Sequence, residues 1–124
     1  MTSNANHEPT IRYELLTPAG LRTVAGDHVV IPNDAGAAFG IHVEPHLRDG
    51  HPEKWIVTHL ASGIRIGHGA THDAARANAT VNVDRNRDRL RATLDQAMTS
   101  RYELQHAVQR LQQNHHDILG GAAA

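Results

Sequence analysis

The sequence predicts an α+β protein: an N-terminal antiparallel β-meander of four or five strands, then a short Ala-rich helix and a long C-terminal heptad helix. Three observations carry this. Ile11, Tyr13 and Leu15 alternate with Arg12 and Glu14, the period-two pattern of a half-buried strand. Trp55–Leu60 and Ile64–Gly67 are β-branched and apolar around Ser62-Gly63, a hairpin pattern. Within residues 84–119, Leu90, Leu94, Ala97, Arg101, Leu104, Val108, Leu111, His115 and Ile118 recur at alternating spacings of four and three, which is a heptad seam.

Taken in order, residues 1–9 are small and polar and end in Pro9, so they read as a disordered tail. Residues 10–83 hold the sheet and the short helix. The first strand stops at the turn residues Thr17 to Gly20, Leu21–Val24 returns as a short strand, and Gly26-Asp27 turns the chain again. His28–Ile31 is a brief apolar strand closed by Pro32-Asn33-Asp34, and Phe39–Val43 is the next, ended by Pro45. After the hairpin, Thr71 is placed as a helix N-cap, with Asp73 in the first turn where the helix dipole favours an acid. The alanines at 74, 75, 77 and 79 make a slender helix able to lie close to the hairpin. Val81-Asn82-Val83 has weak helix propensity, so a kink, link or boundary is expected at residues 80–85, with Asp84 capping the long helix of residues 84–119. Gly120-Gly121 is expected to end that helix and to leave residues 120–124 as a tail.

Composition excludes several classes. A net charge of −1 and zero cysteine argue against bulk electrostatic coating of nucleic acid or membrane, and remove disulfides, thiolate catalysis and Cys-type zinc sites. No apolar run approaches the roughly 18 residues of a membrane span, and the first ten residues lack the basic and apolar parts of a signal peptide. The expectation is a soluble, cytoplasmic protein with an aliphatic core, since only one Trp, one Phe and two Tyr are present.

The run Gly67-His68-Gly69-Ala70-Thr71-His72-Asp73-Ala74-Ala75-Arg76-Ala77-Asn78-Ala79 resembles the strand, G-x-T, Ala-rich helix passage of HicB-type antitoxins. The resemblance covers roughly residues 52–80. It implies a small partial ribonuclease-H-like β-β-β-α domain that binds and blocks a protein partner. Ala61-Ser62-Gly63 lacks the Pro-Gly turn of that family, and a heptad helix stands where a DNA-binding tail is expected.

Candidate chemistry begins with 11 histidines. His42 with His46, and His68 with His72, have the spacing that puts two ligands on one helix face, yet Pro45 forbids a helix in the first pair and Gly69 precedes the helix in the second. A loop site of His59, His68, His72 and Asp73 would suit zinc if the hairpin brought His59 near His68. His115-His116-Asp117 reads as an exposed helix end. No paired catalytic carboxylates, nucleophile elbow or phosphate loop is present, so neither enzyme activity nor a cofactor is expected. Arg85, Arg87, Arg89 and Arg91 wrap the helix start rather than forming a stripe, and Asp84 and Asp88 offset part of their charge. They are the candidate nucleic-acid contacts.

The seam must lie against something. Its flanking positions, from Arg91 to Leu119, carry almost no charge code, so self-association, packing on its own sheet and docking of another protein all fit. Because the helix would be roughly 54 Å long, more than a small sheet covers, the expectation is a homodimer with helix left over for a protein partner. The function expected is a non-enzymatic binding or regulatory protein, an inhibitor or antitoxin-like module of a phage or mobile element. Nucleic-acid regulation through Arg85–Arg91 is the alternative, and His-dependent metal binding the third.

Overall fold

The computed structural model describes residues 9–123, with side chains of the long helix described as far as Leu111. The expectations for residues 1–8 and for the side chains of His115 and Ile118 lie outside the described residues. Five strands, β1 (Ile11–Thr17), β2 (Gly20–Val29), β3 (Phe39–Val43), β4 (Trp55–His59) and β5 (Arg65–Gly69), precede two helices, α1 (His72–Arg85) and α2 (Leu90–Ala123). The strands form one antiparallel sheet in sequence order. The fold is therefore α+β with its strands N-terminal.

β2 differs from the sequence expectation. It is one ten-residue strand rather than two short ones split at Gly26-Asp27. Residues 20–26 pair with β1, while Asp27, His28 and Val29 pair with β3. Gly26 serves close approach and not a turn: a Cβ there would collide with the Ile41 carbonyl and lie 2.8 Å from Tyr13 Oη. A Cβ on Gly40 would lie 2.9 Å from Cε1 and Cζ of the same ring. The two glycines make a slot for Tyr13, and the β1–β2 hairpin folds over that face of the sheet. Leu16 N–H donates to Gly63 O at 2.8 Å, tying β1 to the turn between β4 and β5.

Strand alternation sorts the two faces. Phe39 and Ile41 of β3 and Val57 of β4 join the core with Ala75, Ala79 and Val83 of α1 and Leu90 and Leu94 of α2. Gly40, His42, Ile56 and Thr58 face the hairpin. α1 starts as expected, with Thr71 Oγ1 accepting from Ala74 N–H at 3.0 Å and Asp73 in the first turn. Its alanines lie directly on glycines. A Cβ at Gly67 would sit 2.7 Å from Ala79 Cα and N, and one at Gly69 would sit 2.5 Å from Ala75 N.

α1 also blocks the outer edge of β5. Asn78 Nδ2 donates to His68 O at 2.7 Å and Asn82 Nδ2 to Ile66 O at 2.8 Å, so two strand carbonyls are taken by side chains one helical turn apart. This contact and the burial of Val83 carry the helix through Val81-Asn82-Val83, so of the kink, link or boundary expected at residues 80–85 it is the boundary that is found, where α1 ends at Arg85. The break falls at Asn86, followed by a single 3₁₀ turn, Arg87–Arg89. Asp84 does not cap the long helix; it pairs with Arg87 at 2.8 Å. Nor do Gly120-Gly121 end α2, which continues to Ala123, because Gly weakens a helix without obstructing its hydrogen bonds as Pro does.

Replacing Gly67 by Ala should push α1 off β5, since the added methyl meets helix backbone rather than a movable side chain. We expect Gly67→Ala to lower unfolding free energy by about 3 kcal/mol in urea titration, the overpacking range. An unchanged midpoint would show that the helix can retreat without loss.

Candidate functional site

The heptad seam is divided. Leu90, Leu94 and Ala97 are buried against the chain's own sheet. Arg101, the next seam residue, ends that contact as a polar clamp: Nη2 donates to Glu14 Oε1 at 2.8 Å and Nη1 to Ala61 O at 3.0 Å. These four positions are thereby withdrawn from an interface with a second molecule. Their side of the helix fits the sheet because the residues there are aliphatic, and a guanidinium can reach two carbonyls and a carboxylate at its rim.

Beyond Arg101 the same row leaves the sheet. Leu104 is partly buried, Val108 is 45% exposed and Leu111 69% exposed. The β1–β2 turn comes alongside, so that Ala19, Gly20 and Leu21 with Leu104, Gln105 and Val108 border a groove of about 610 Å³. Its floor is aliphatic and its helix side is uncharged. Such a surface can bury apolar side chains from another helix but offers no group to activate a substrate.

A second constellation lies under the hairpin, and the sequence reading missed it. His42 and Glu44 are 2% and 3% exposed. Glu44 Oε1 accepts from His42 Nε2 at 2.6 Å and Arg22 Nη1 at 3.1 Å; Oε2 accepts from Arg22 Nη2 at 3.1 Å and meets His46 Nδ1 at 3.3 Å. Three hydrogen bonds reach the carboxylate, and His46 is a further close contact at its edge. Because an ionised carboxylate only accepts, neutral His42 carries its proton on Nε2, and Nδ1 accepts from Tyr13 Oη at 3.4 Å. Burial, and then Asp27, hold the Tyr13 hydroxyl well above its ordinary range, so it stays a donor.

Burial lowers the pKa of His42 from its ordinary 6.5, although Glu44 opposes the shift. Burial pushes Glu44 up, but the hydrogen bonds from Arg22 and His42 outweigh it and leave the carboxyl below its ordinary 4.5. Tyrosine, histidine and glutamate in line resemble a proton relay, yet both ring nitrogens of His42 are engaged and Tyr13 is buried. The arrangement holds the hairpin to β3. Spacing is the signal in the sequence: residues 42 and 44 are two apart and share a strand face, whereas the four-residue spacing of His42 and His46 speaks only to a helix.

The proposed zinc ligands are not brought together. His68 pairs across the hairpin with Ile56, not His59, and its Nδ1 donates to Pro52 O at 2.9 Å. His59 lies at the far end of β4 against Ser62 Oγ at 2.6 Å, and His72 meets the Trp55 ring, with Asp73 3.6 Å away. Among the described residues no group of three His, Asp or Glu side chains is placed to hold a metal ion. Arg85, Arg87, Arg89 and Arg91 are exposed around the turn between the helices. Among the described residues only Arg87 of the four pairs with a carboxylate, while Arg91 Nη2 reaches Asp34 O at 3.4 Å. No helix among the described residues is long and apolar enough to cross a membrane.

Two outcomes follow from the buried groups. Between their folded and unfolded pKa values His42 and Glu44 both bind more protons in the unfolded chain, so stability should fall on acidification. The loss should begin below about pH 6.5 through His42 and extend below about pH 4.5 through Glu44, at up to about 1.4 kcal/mol per pH unit for each group. Buried His59, also lowered, acts in the same direction as His42. Urea unfolding from pH 8 to pH 4 checks this, and a flat profile contradicts it. Thr58 is fully buried and its hydroxyl has no partner among the described residues, so Thr58→Val should raise stability by about 1 kcal/mol, read from the same titration at pH 7.5.

No family model matches this chain, no curated protein matches it, and no solved structure matches its fold.

Proposed function

We propose that this chain is a non-enzymatic binding or regulatory protein that works through protein contacts, and that the second half of the α2 seam makes them. The observation that carries the reading is the division of the seam: one row of heptad residues is buried as far as Ala97 and exposed at Val108 and Leu111. α2 has 34 residues, about 51 Å of helix, so most of its length lies past the last clamp at Arg101. Within the described side chains, the apolar row of Leu104, Val108 and Leu111 running beside an uncharged groove is the form in which one helix receives another. The occupant we favour is a second copy of the chain, whose own seam has the same period and almost no flanking charge to repel it. A homodimer of this kind leaves the sheet domains free. The order β3, β4, β5, α1 is also the β-β-β-α order that the HicB resemblance implies, which supports an inhibitor or antitoxin-like role.

Nucleic-acid regulation is the second reading. It is favoured by Arg85 and Arg89, exposed and without a carboxylate partner among the described residues. Phosphate contacts there would give binding that weakens steeply with salt.

Two substitutions separate a free seam from a covered one. Leu94→Glu buries a charge in the core and should abolish folding, since the cost of several kcal/mol is comparable to the whole stability of a small domain. Leu111→Glu should change stability by no more than about 0.5 kcal/mol, yet convert a dimer to monomer in sedimentation equilibrium. A wild-type protein that stays monomeric at high concentration counts against the second copy. One that also binds DNA or RNA, with loss of binding in Arg85→Ala and Arg89→Ala, favours the second reading.

A further inference from the structure

The β1–β2 hairpin takes part in both constellations. Its strands carry Tyr13 and Arg22, which engage His42 and Glu44, and its turn, Ala19 to Leu21, is one wall of the groove beside Leu104 and Val108. A third contact, Glu14 to Arg101 at 2.8 Å, fixes β1 to α2 where the helix leaves the sheet. Polar bonds thus help to hold hairpin and helix in the relative position that forms the groove.

Resting on the docking reading above, we propose that protonation of His42 unlatches the β1–β2 hairpin and so weakens association at the α2 groove. His42 sits on β3 between Tyr13 of β1, Arg22 of β2, and Glu44 and His46 of the following loop; β4 presents Ile56 opposite it, which bears no charge. When neutral, the ring suits all of these, accepting from Tyr13 and donating to Glu44. A second proton does three things. It removes the acceptor that Tyr13 uses, so the tyrosine must turn its hydroxyl away. It places a cation in a site closed to water. It sets that cation against Arg22, which shares the same carboxylate. Attraction to Glu44 opposes these effects, and burial outweighs it. The elements on the other face of the sheet do not touch His42, so the response is local: the hairpin loosens while β3 to β5 and α1 stay packed.

The test uses the full chain at constant ionic strength. Hydrogen exchange, corrected for its intrinsic pH dependence, should show residues 11–29 losing protection between pH 7.5 and pH 5 while β4 and α1 keep theirs. Sedimentation over the same range should show the dimer dissociation constant rising about tenfold, a change of the size usual for coupling between two sites. Imidazole NMR shifts of His42 in the wild-type protein should titrate together with the loss of hairpin protection. His42→Gln keeps a donor for Glu44 without a titrating ring, and should remain dimeric with a flat response. Hairpin protection that does not change while His42 titrates overturns the latch, as does an acid response of equal size in His42→Gln. If that variant does not fold, the wild-type titration alone decides. Absence of a dimer at every pH overturns the docking reading and this coupling with it, and is distinguishable because exchange reads the hairpin directly.

Discussion

The contact on which the architecture depends is the approach of α1 to β5, where Ala75 and Ala79 rest on Gly69 and Gly67 with no side chain between. Small residues on both sides let helix and strand backbones come nearer than ordinary side chains allow. That closeness lets Asn78 and Asn82 reach the strand carbonyls, and those bonds fix the rotation of the helix about its axis. Rotation and distance set the rest. Val83 then falls into the core, α1 ends at Asn86 and the 3₁₀ turn follows, and Leu90 and Leu94 join the same core as Phe39 and Val57.

The opposite face solves a different problem. Helices on one side of β3 to β5 leave the other side wet unless something covers it, and here the β1–β2 end of the same sheet folds over it. Two glycines admit Tyr13, but the cover also buries a carboxylate and an imidazole, whose desolvation is costly. Arg22 offsets that cost by a bidentate bond, and the price is a geometry that tolerates one protonation state well. An aliphatic filling at residues 42 and 44 would hold the hairpin at any pH. The polar one ties its position to solution conditions.

Local patterns were legible in the sequence where neighbours along the chain decide the structure. Alternation at Ile11, Tyr13 and Leu15, the hairpin around Ser62-Gly63, the Thr71 cap and the heptad spacing are all of this kind, and β1, β4, β5, α1 and α2 follow from them. Gly26-Asp27 was misread because a glycine beside an aspartate has the composition of a turn, whereas its role comes from Tyr13 and Ile41, each more than ten residues away. The latch was illegible for the same reason: Arg22 and Glu44 are 22 residues apart, and only the fold of the hairpin over β3 brings them together. The zinc grouping failed on register, which residue spacing alone does not fix: His68 stands opposite Ile56, three residues along β4 from His59, so the two rings lie at different places on the ladder.

The heptad row illustrates how far periodicity reaches. A repeat of four and three states that one side of a helix is apolar, and it is silent on what lies against that side. In this chain the row meets an intramolecular sheet for its first two turns and leaves it at Arg101, with no change in the pattern to mark the boundary. The marker is chemical: an arginine occupies a seam position where it can reach Glu14 and the Ala61 carbonyl, so a residue that looks like a defect in a coiled coil is the edge of a domain. Past that edge the helix no longer needs apolar residues for its own sheet. That Leu104, Val108 and Leu111 nevertheless keep the row apolar, the first two lining a groove whose other wall is the β1–β2 hairpin, is the reason for proposing a partner there.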